Sequence, residues 1–198
     1  MKFIAETDRL KLREFIKDDA PFLLELLNTP AWIKFIGDRN VKTIDAARDY
    51  AANRLISSYH RFGFGLYMVE RKEDSTPIGM CGLVRREALE DVDLGFAFLP
   101  QYQGMGYAEE AGAATMALAK KKVKSKRLVA ITMVDNSNSI NLLRRGDCTW
   151  PGNDFPIYIL TAWRASSFHS FFSFTKTNST ERLIAPFVPL FMFSPESL

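Results

Sequence analysis

The stretch Asp93–Ala119, DLGFAFLPQYQGMGYAEEAGAATMALA, constrains this chain more than any other. Leu94–Leu99 is an apolar run that reads as a buried strand, and Pro100 ends it. A turn follows, Gln101-Tyr-Gln-Gly104-Met-Gly106, and an Ala-rich helical segment opens near Tyr107. Strand, glycine turn and helix together can build an anion site. The glycines let the backbone bend until several N–H groups point at one place, and the helix N-terminus adds its partial positive charge. A phosphate or pyrophosphate suits such a site. The same residues also suit a plain tight turn between strand and helix.

The neighbours of the glycines narrow the ligand. A Walker-type loop needs Lys-Ser/Thr after its last glycine, and Tyr107 follows Gly106. That disfavours a nucleotide hydrolase. A dinucleotide fingerprint needs a third glycine three residues on, where this chain has Glu109.

The residues as they stand, Gln101-x-x-Gly104-x-Gly106-Tyr107-Ala108-x-Glu110-Ala111, resemble the pyrophosphate loop of the GNAT superfamily of N-acetyltransferases. The likeness is greatest to the branch that includes the ribosomal-protein-alanine acetyltransferases. Two further stretches fit it in the right order. Thr7-Asp-Arg9-Leu10-x-Leu12-Arg13 looks like the branch's first strand, and Asn136-x-x-Ser139-Ile140 looks like its last cofactor helix. The resemblance covers residues 7 to about 145. It implies an α/β (α+β) fold with a mixed, mostly antiparallel sheet and helices on both faces, and acetyl-CoA as co-substrate.

It also implies roles. Gln101, Gln103, Gly104, Met105, Gly106, Tyr107 and Ala108 form the turn that holds the pyrophosphate, with the N–H groups of Gln103–Ala108 facing it. A backbone N–H near Phe98 or Leu99 polarises the acetyl carbonyl, as an oxyanion donor does. Asn136 hydrogen-bonds the pantetheine arm. Asp93 stands where the family often has an acidic residue and is the candidate proton acceptor for the amine; its neighbours Glu90 and Asp91 could substitute, and a polar strand entrance is the bland alternative. Many members protonate the leaving thiolate with a Tyr at a position that is Leu143 here. Ser139 is the remaining candidate, or else a helix cap. Transfer by proximity alone is a further possibility.

At 198 residues with a net charge of +3, one soluble domain is expected, and the charge is too small to argue for nucleic acid. The basic run Lys120–Arg127 suits a helix C-terminus, where cations meet the dipole, or a contact to a cofactor phosphate. Cys81 and Cys148 give neither metal spacing nor a disulfide framework. No metal is expected, and His60 and His169 have no partner spacing. The N-terminus lacks a signal-like apolar region, and no apolar stretch reaches about 18 residues. These features together predict a cytoplasmic protein without a membrane span.

Local patterns predict the other elements. Residues 9–15 alternate as a strand. Asp18 or Asp19 caps a helix over 20–27, and Thr43 caps one over about 44–59. Trp32, Phe35 and Ile36 lie between them; in the family this region lines the acceptor pocket, while the residues themselves read as core packing. Gly65–Glu70 and Pro77–Val84 read as consecutive antiparallel strands, with Gly79 and Gly82 marking close backbone approach. Residues 127–133 form another strand, and Asn136 or Ser137 opens a short helix.

After Arg145 the character changes. Residues 146–198 hold eight of the sixteen Phe and five of the nine Pro, but only seven of the 49 charged residues. The division is therefore 1–145, the acetyltransferase domain, and 146–198, an atypical Phe/Pro/Ser-rich segment. The branch expects a Lys-Leu-Gly-Phe-like helix end and a hairpin, where this chain reads Leu143-Arg-Arg-Gly-Asp-Cys148. A slip of reading frame near Arg144–Gly146 would produce that break. A missing or altered hairpin would leave 127–133 as an open edge. The expected function is N-acetyl transfer to a primary amine, either a protein N-terminus or a small molecule. The alternative is a catalytically impaired remnant that binds CoA or a partner.

Overall fold

The computed structural model describes residues 2–87, 89–124, 127–149, 156–162, 172–176 and 182–184. Its strands are β1 (Phe3–Glu6), β2 (Leu10–Arg13), β3 (Leu66–Arg71), β4 (Pro77–Val84), β5 (Val92–Phe98), β6 (Leu128–Met133), β7 (Ile157–Ala162), β8 (Phe172–Lys176) and β9 (Arg182–Ile184). Among the described residues they form one nine-stranded sheet in sequence order. Neighbours pair antiparallel except β5–β6 and β6–β7, which are parallel. This is the mixed, mostly antiparallel sheet expected from the sequence.

Helices cover both faces. On one, α1 (Ala20–Leu27), α2 (Pro30–Phe35) and α3 (Ile44–Tyr50) bury Leu23, Leu26, Trp32 and Ala47 with Met68 and Met80 of the sheet. On the other, α5 (Tyr107–Lys122) and α6 (Ser137–Thr149) bury Ala111, Met116, Leu142 and Leu143 with Tyr67, Val69 and Leu83. Tyr67 and Val69 face one cluster and Met68 the other, as strand alternation requires. All six central residues of β4 are buried, so an apolar run replaces alternation there.

Thr43 caps α3 as its sequence suggests, accepting from the Ala46 N–H at 3.1 Å. The helix predicted to run to residue 59 instead passes through a π turn, Ala51–Ile56, into α4 (Ser57–Phe62). Asp19 has a different role from the predicted cap. Its carboxylate accepts from the Ile16 N–H at 2.8 Å and forms a two-pronged ion pair with Arg13 at 2.7 and 2.8 Å. Arg13 also donates to Glu70 at 2.7 Å, and all three side chains are buried. Burial opposes the charge on Arg13, but the bonds to Asp19 and Glu70 outweigh it and raise its pKa. A close approach sets Gly82: a Cβ there would lie 2.2 Å from the Gly65 carbonyl oxygen.

The C-terminal half of the sheet corrects one expectation. The strand over 128–133 is not an open edge, because β7 pairs with it along Leu128–Met133. β8 then pairs with β7 antiparallel, so a hairpin follows α6. Ile157–Leu160, a trace of strand pattern in the sequence, is part of that added strand.

Arg13→Met leaves two buried carboxylates without their cation and is expected to cost about 3–5 kcal/mol. Urea unfolding checks this. The triple variant R13M/D19L/E70L should recover most of the loss, and a wild-type midpoint for R13M would contradict the role given to Arg13.

Candidate active site

β5 and β6 pair only at Val92–Leu128 and Asp93–Val129. Beyond Asp93 they part, and the edge of β5 from Leu94 to Phe98 faces a cleft. Asp93 causes the parting locally. It is 2% exposed, and one carboxylate oxygen accepts from the Ile131 N–H at 3.3 Å, taking that donor out of the ladder. The other oxygen accepts from Arg86, at 2.7 Å from both Nε and an Nη.

The cleft opens into a cavity of about 580 Å³ that is lined from both faces of the sheet. At one end stands the glycine turn. Gly104 and Gly106 have φ of +75° and +79°, the left-handed region that favours glycine. Gly106 is the residue before α5. Among the described residues no hydrogen bond uses the N–H of residues 104–108, and the first helical bond is from the Glu110 N–H to the Gly106 carbonyl at 3.1 Å. These are the orphan donors of a helix start, here clustered by the turn.

Two sequence motifs a hundred residues apart meet behind this turn. The Glu110 carboxylate accepts from the Thr7 hydroxyl at 2.5 Å, the Arg9 N–H at 2.9 Å and Arg9 Nε at 2.6 Å. Arg9 also donates to the Met105 carbonyl at 3.0 Å and lies over the Tyr107 ring. Burial pushes the Glu110 carboxyl up, but these bonds outweigh it and hold it below the ordinary range. The turn between β1 and β2 thereby fixes one side of the glycine turn, whose residues Gly104, Gly106, Tyr107 and Ala108 line the cavity.

Of the residues expected at the site, Asp93, Phe98, Gln103, Gly104, Gly106, Tyr107, Ala108, Asn136 and Ser139 line the cavity. Leu99, Gln101 and Met105 do not. The Leu99 N–H donates to the Ile78 carbonyl at 2.9 Å, on the β4 side, so it is not the oxyanion donor. Strand alternation then turns the Phe98 N–H towards the cleft. Gln101 is exposed. Met105 is 54% exposed and contributes its carbonyl to Arg9. The Gln103 N–H is bonded to the Pro100 carbonyl, and its side chain donates to the Phe98 carbonyl at 2.9 Å, folding the turn over the strand end. Asn136 caps α6: its Oδ1 accepts from the Ser139 N–H at 3.2 Å, leaving the amide nitrogen for another partner. Leu143 is in the core. Glu90 and Asp91 lie outside the cavity lining, and Asp91 pairs with Arg127 at 2.7 Å.

The reading from sequence missed Arg39, Tyr50, Arg86 and Thr132, all of which line the cavity. No spacing pattern marks them, since the fold alone brings them together. Cys81 offers no nucleophile: it is fully buried against Thr115, and burial pushes its thiol up to about 12. Among the described residues there is no group of three or more His, Cys, Asp or Glu able to hold a metal, and no helix long and apolar enough to cross a membrane. His169 and the side chain of Cys148 lie outside the described residues.

A parted parallel strand pair beside a glycine turn at a helix start defines an acyltransferase of the N-acetyltransferase class. The chain belongs to the acetyltransferase (GNAT) domain family, whose model matches residues 9–149. It is 24% identical over 144 residues to the uncharacterized N-acetyltransferase YoaA of Bacillus subtilis (strain 168), covering 71% of this chain and 79% of YoaA. The acetyltransferase structure from Agrobacterium tumefaciens str. C58 superposes with a TM-score of 0.62 at 23% identity, covering 73% of this chain and 82% of that one. RimL, the ribosomal L7/L12 alpha-N-protein acetyltransferase solved in complex with coenzyme A, gives a TM-score of 0.62 at 21% identity, with the same coverage of both chains.

The lowered pKa of Glu110 means that its stabilisation is fully present above the unfolded value and is lost as pH falls through the folded one. Glu110→Gln is therefore expected to be about 1–2 kcal/mol less stable than wild type at neutral pH. That difference should shrink well below about pH 4.3, where the wild-type carboxyl is protonated as well. Urea unfolding at pH 7 and pH 3 measures both. An equal deficit at both pH values would contradict the charge-assisted network.

Proposed function

We propose that the protein transfers the acetyl group of acetyl-CoA to a primary amine inside the cleft between β5 and β6. The observation that carries this reading is the coincidence of unbonded turn N–H groups at residues 104–108 with an unpaired β5 edge in one cavity. Acetyl-CoA supplies the activated acyl group, and the residues lining the cavity suit its parts. The turn N–H groups and the start of α5 face the pyrophosphate, where bulk on Gly104 or Gly106 would intrude. The β5 edge offers the pantetheine arm backbone partners, and the Asn136 amide nitrogen adds one from α6. The Phe98 N–H polarises the acetyl carbonyl, so that the nitrogen forms its bond to carbon as the carbon–sulfur bond breaks.

Both Asp93 oxygens already have partners, Arg86 and the Ile131 N–H. We therefore give Asp93 the role of holding the cleft open rather than accepting the amine's proton, which passes to water along the polar wall. Ser139, on the α6 wall, supplies the hydroxyl for the departing sulfur. Alignment of the two reactants accounts for much of the rate. The alternative reading is an impaired remnant whose altered C-terminus removes part of the acceptor site; the pairing of β7 and β8 onto β6 supports the active reading over it. The division at residue 145 then marks a change in composition within one continuous sheet. Translation of the coding sequence in the other frames tests the proposed frame slip.

Calorimetric titration with acetyl-CoA tests the assignment. Saturable binding by wild type and at least about tenfold weaker binding by Gly104→Val and Gly106→Val are expected, because a side chain would occupy the phosphate's space and strain a left-handed backbone. Unchanged binding by both variants would discard the site. Asp93→Asn should lower melting temperature and acetyl-CoA affinity together. Loss of turnover with affinity and stability intact would return Asp93 to the role of base.

A further inference from the structure

The end of the cavity away from the glycine turn has donors without acceptors. Trp32 is 5% exposed, and among the described residues its indole Nε1–H has no hydrogen-bond partner. The Nε–H of Arg39 is likewise buried without one. Both residues line the cavity. Among the described residues no carboxylate pairs with Arg39. A second guanidinium in the same wall, Arg86, is held by Asp93. Asp93 in turn is shared between Arg86 and the Ile131 N–H, so no carboxylate at this end is left for Arg39. Burial pulls the pKa of Arg39 down; the neighbouring Tyr50 phenol opposes that, and Arg86 and Arg54 add to it. Each charged neighbour of Arg39 named here is thus a cation.

Buried donors in native proteins have partners, and Arg39, half-buried as a residue, places its buried Nε–H in this wall without one. A ligand that brings acceptors would complete this wall. We propose that the acceptor is an amine whose own molecule carries a carboxylate, which the Arg39 guanidinium and the Trp32 indole N–H bind while the amine faces the cleft. The inference rests on acetyl transfer taking place in this cavity. A planar guanidinium matches a carboxylate through two parallel bonds, and an indole N–H adds a third donor. A polyamine or other polycation would set ammonium groups beside Arg39 and its neighbouring cations Arg86 and Arg54, so that class of acceptor is disfavoured.

The test uses the full chain and three probes: the peptide Ala-Asp-Glu-Ala-amide, its neutral counterpart Ala-Asn-Gln-Ala-amide, and spermidine. Binding is measured by calorimetry at low salt, with and without coenzyme A. The acidic peptide should bind at least about tenfold more tightly than the neutral one, as expected for charge-assisted bonds. That ratio should fall towards one in Arg39→Gln and fall in part in Trp32→Phe. Arg39→Lys, which keeps the charge but loses the fork, should retain part of it, and melting curves confirm that each variant is folded. Equal affinity for the two peptides, binding of neither, tighter binding of spermidine, or a full acidic preference in folded R39Q would each overturn the proposal. If acetyl-CoA does not bind but the acidic preference is present and depends on Arg39, the anion site stands and the transfer reaction falls. If acetyl-CoA binds and the peptides are not distinguished, the reverse holds.

Discussion

The parting of β5 from β6 after Asp93 is the constraint on which the rest of the structure depends. Parallel strands normally bond along their full length, and an unpaired buried N–H carries a free-energy cost. Here two residue pairs hold the strands together, and then a side chain intervenes. The carboxylate of Asp93 satisfies the next donor of β6 and is itself neutralised by Arg86. Beyond it, no strand among the described residues pairs with that edge of β5. Everything at the site is arranged along that edge: the turn at residues 103–106 closes one end, α6 forms a wall, and α2 with Arg39 borders the other end.

The support for the turn comes from far away in sequence. Thr7 and Arg9 converge on Glu110, and Arg9 also holds the Met105 carbonyl. These contacts hold a loop whose N–H groups at residues 104–108 have no hydrogen-bond partners among the described residues. The same logic operates at Arg13, whose buried charge ties β2 and β3 to the start of α1 through Glu70 and Asp19. Side-chain charges inside the fold thereby fix backbone positions that the sheet alone would leave loose.

Much of this was legible in the sequence, and what was not has physical reasons. The glycine turn, the Ala-rich helix and the strand over 77–84 are local features, and local patterning found them. Gly104 and Gly106 were readable because a left-handed backbone demands glycine. The choice between the Phe98 and Leu99 N–H groups was not readable, because which edge a strand N–H faces depends on register, and no composition encodes that. The commitment of both Asp93 oxygens was hidden for the same reason: Arg86 and Ile131 reach it only through the sheet. Arg39 and Trp32 both line the cavity, Trp32 on α2 and Arg39 just after it, an arrangement without a sequence period. After residue 143 the departure from the family's helix end suggested a lost hairpin. The apolar Ile157–Ala162 run, mostly buried, nonetheless extends the sheet beside β6.

On the proposed function, the unpaired edge of β5 and the turn N–H groups together receive one ligand. Amide hydrogen exchange of the full chain, with and without saturating acetyl-CoA, tests it most directly. The expected result is added protection concentrated at residues 94–98 and 104–108, with α1 and α3 nearly unchanged. Saturable binding that leaves those two stretches unprotected, or that protects the chain evenly, would contradict the account.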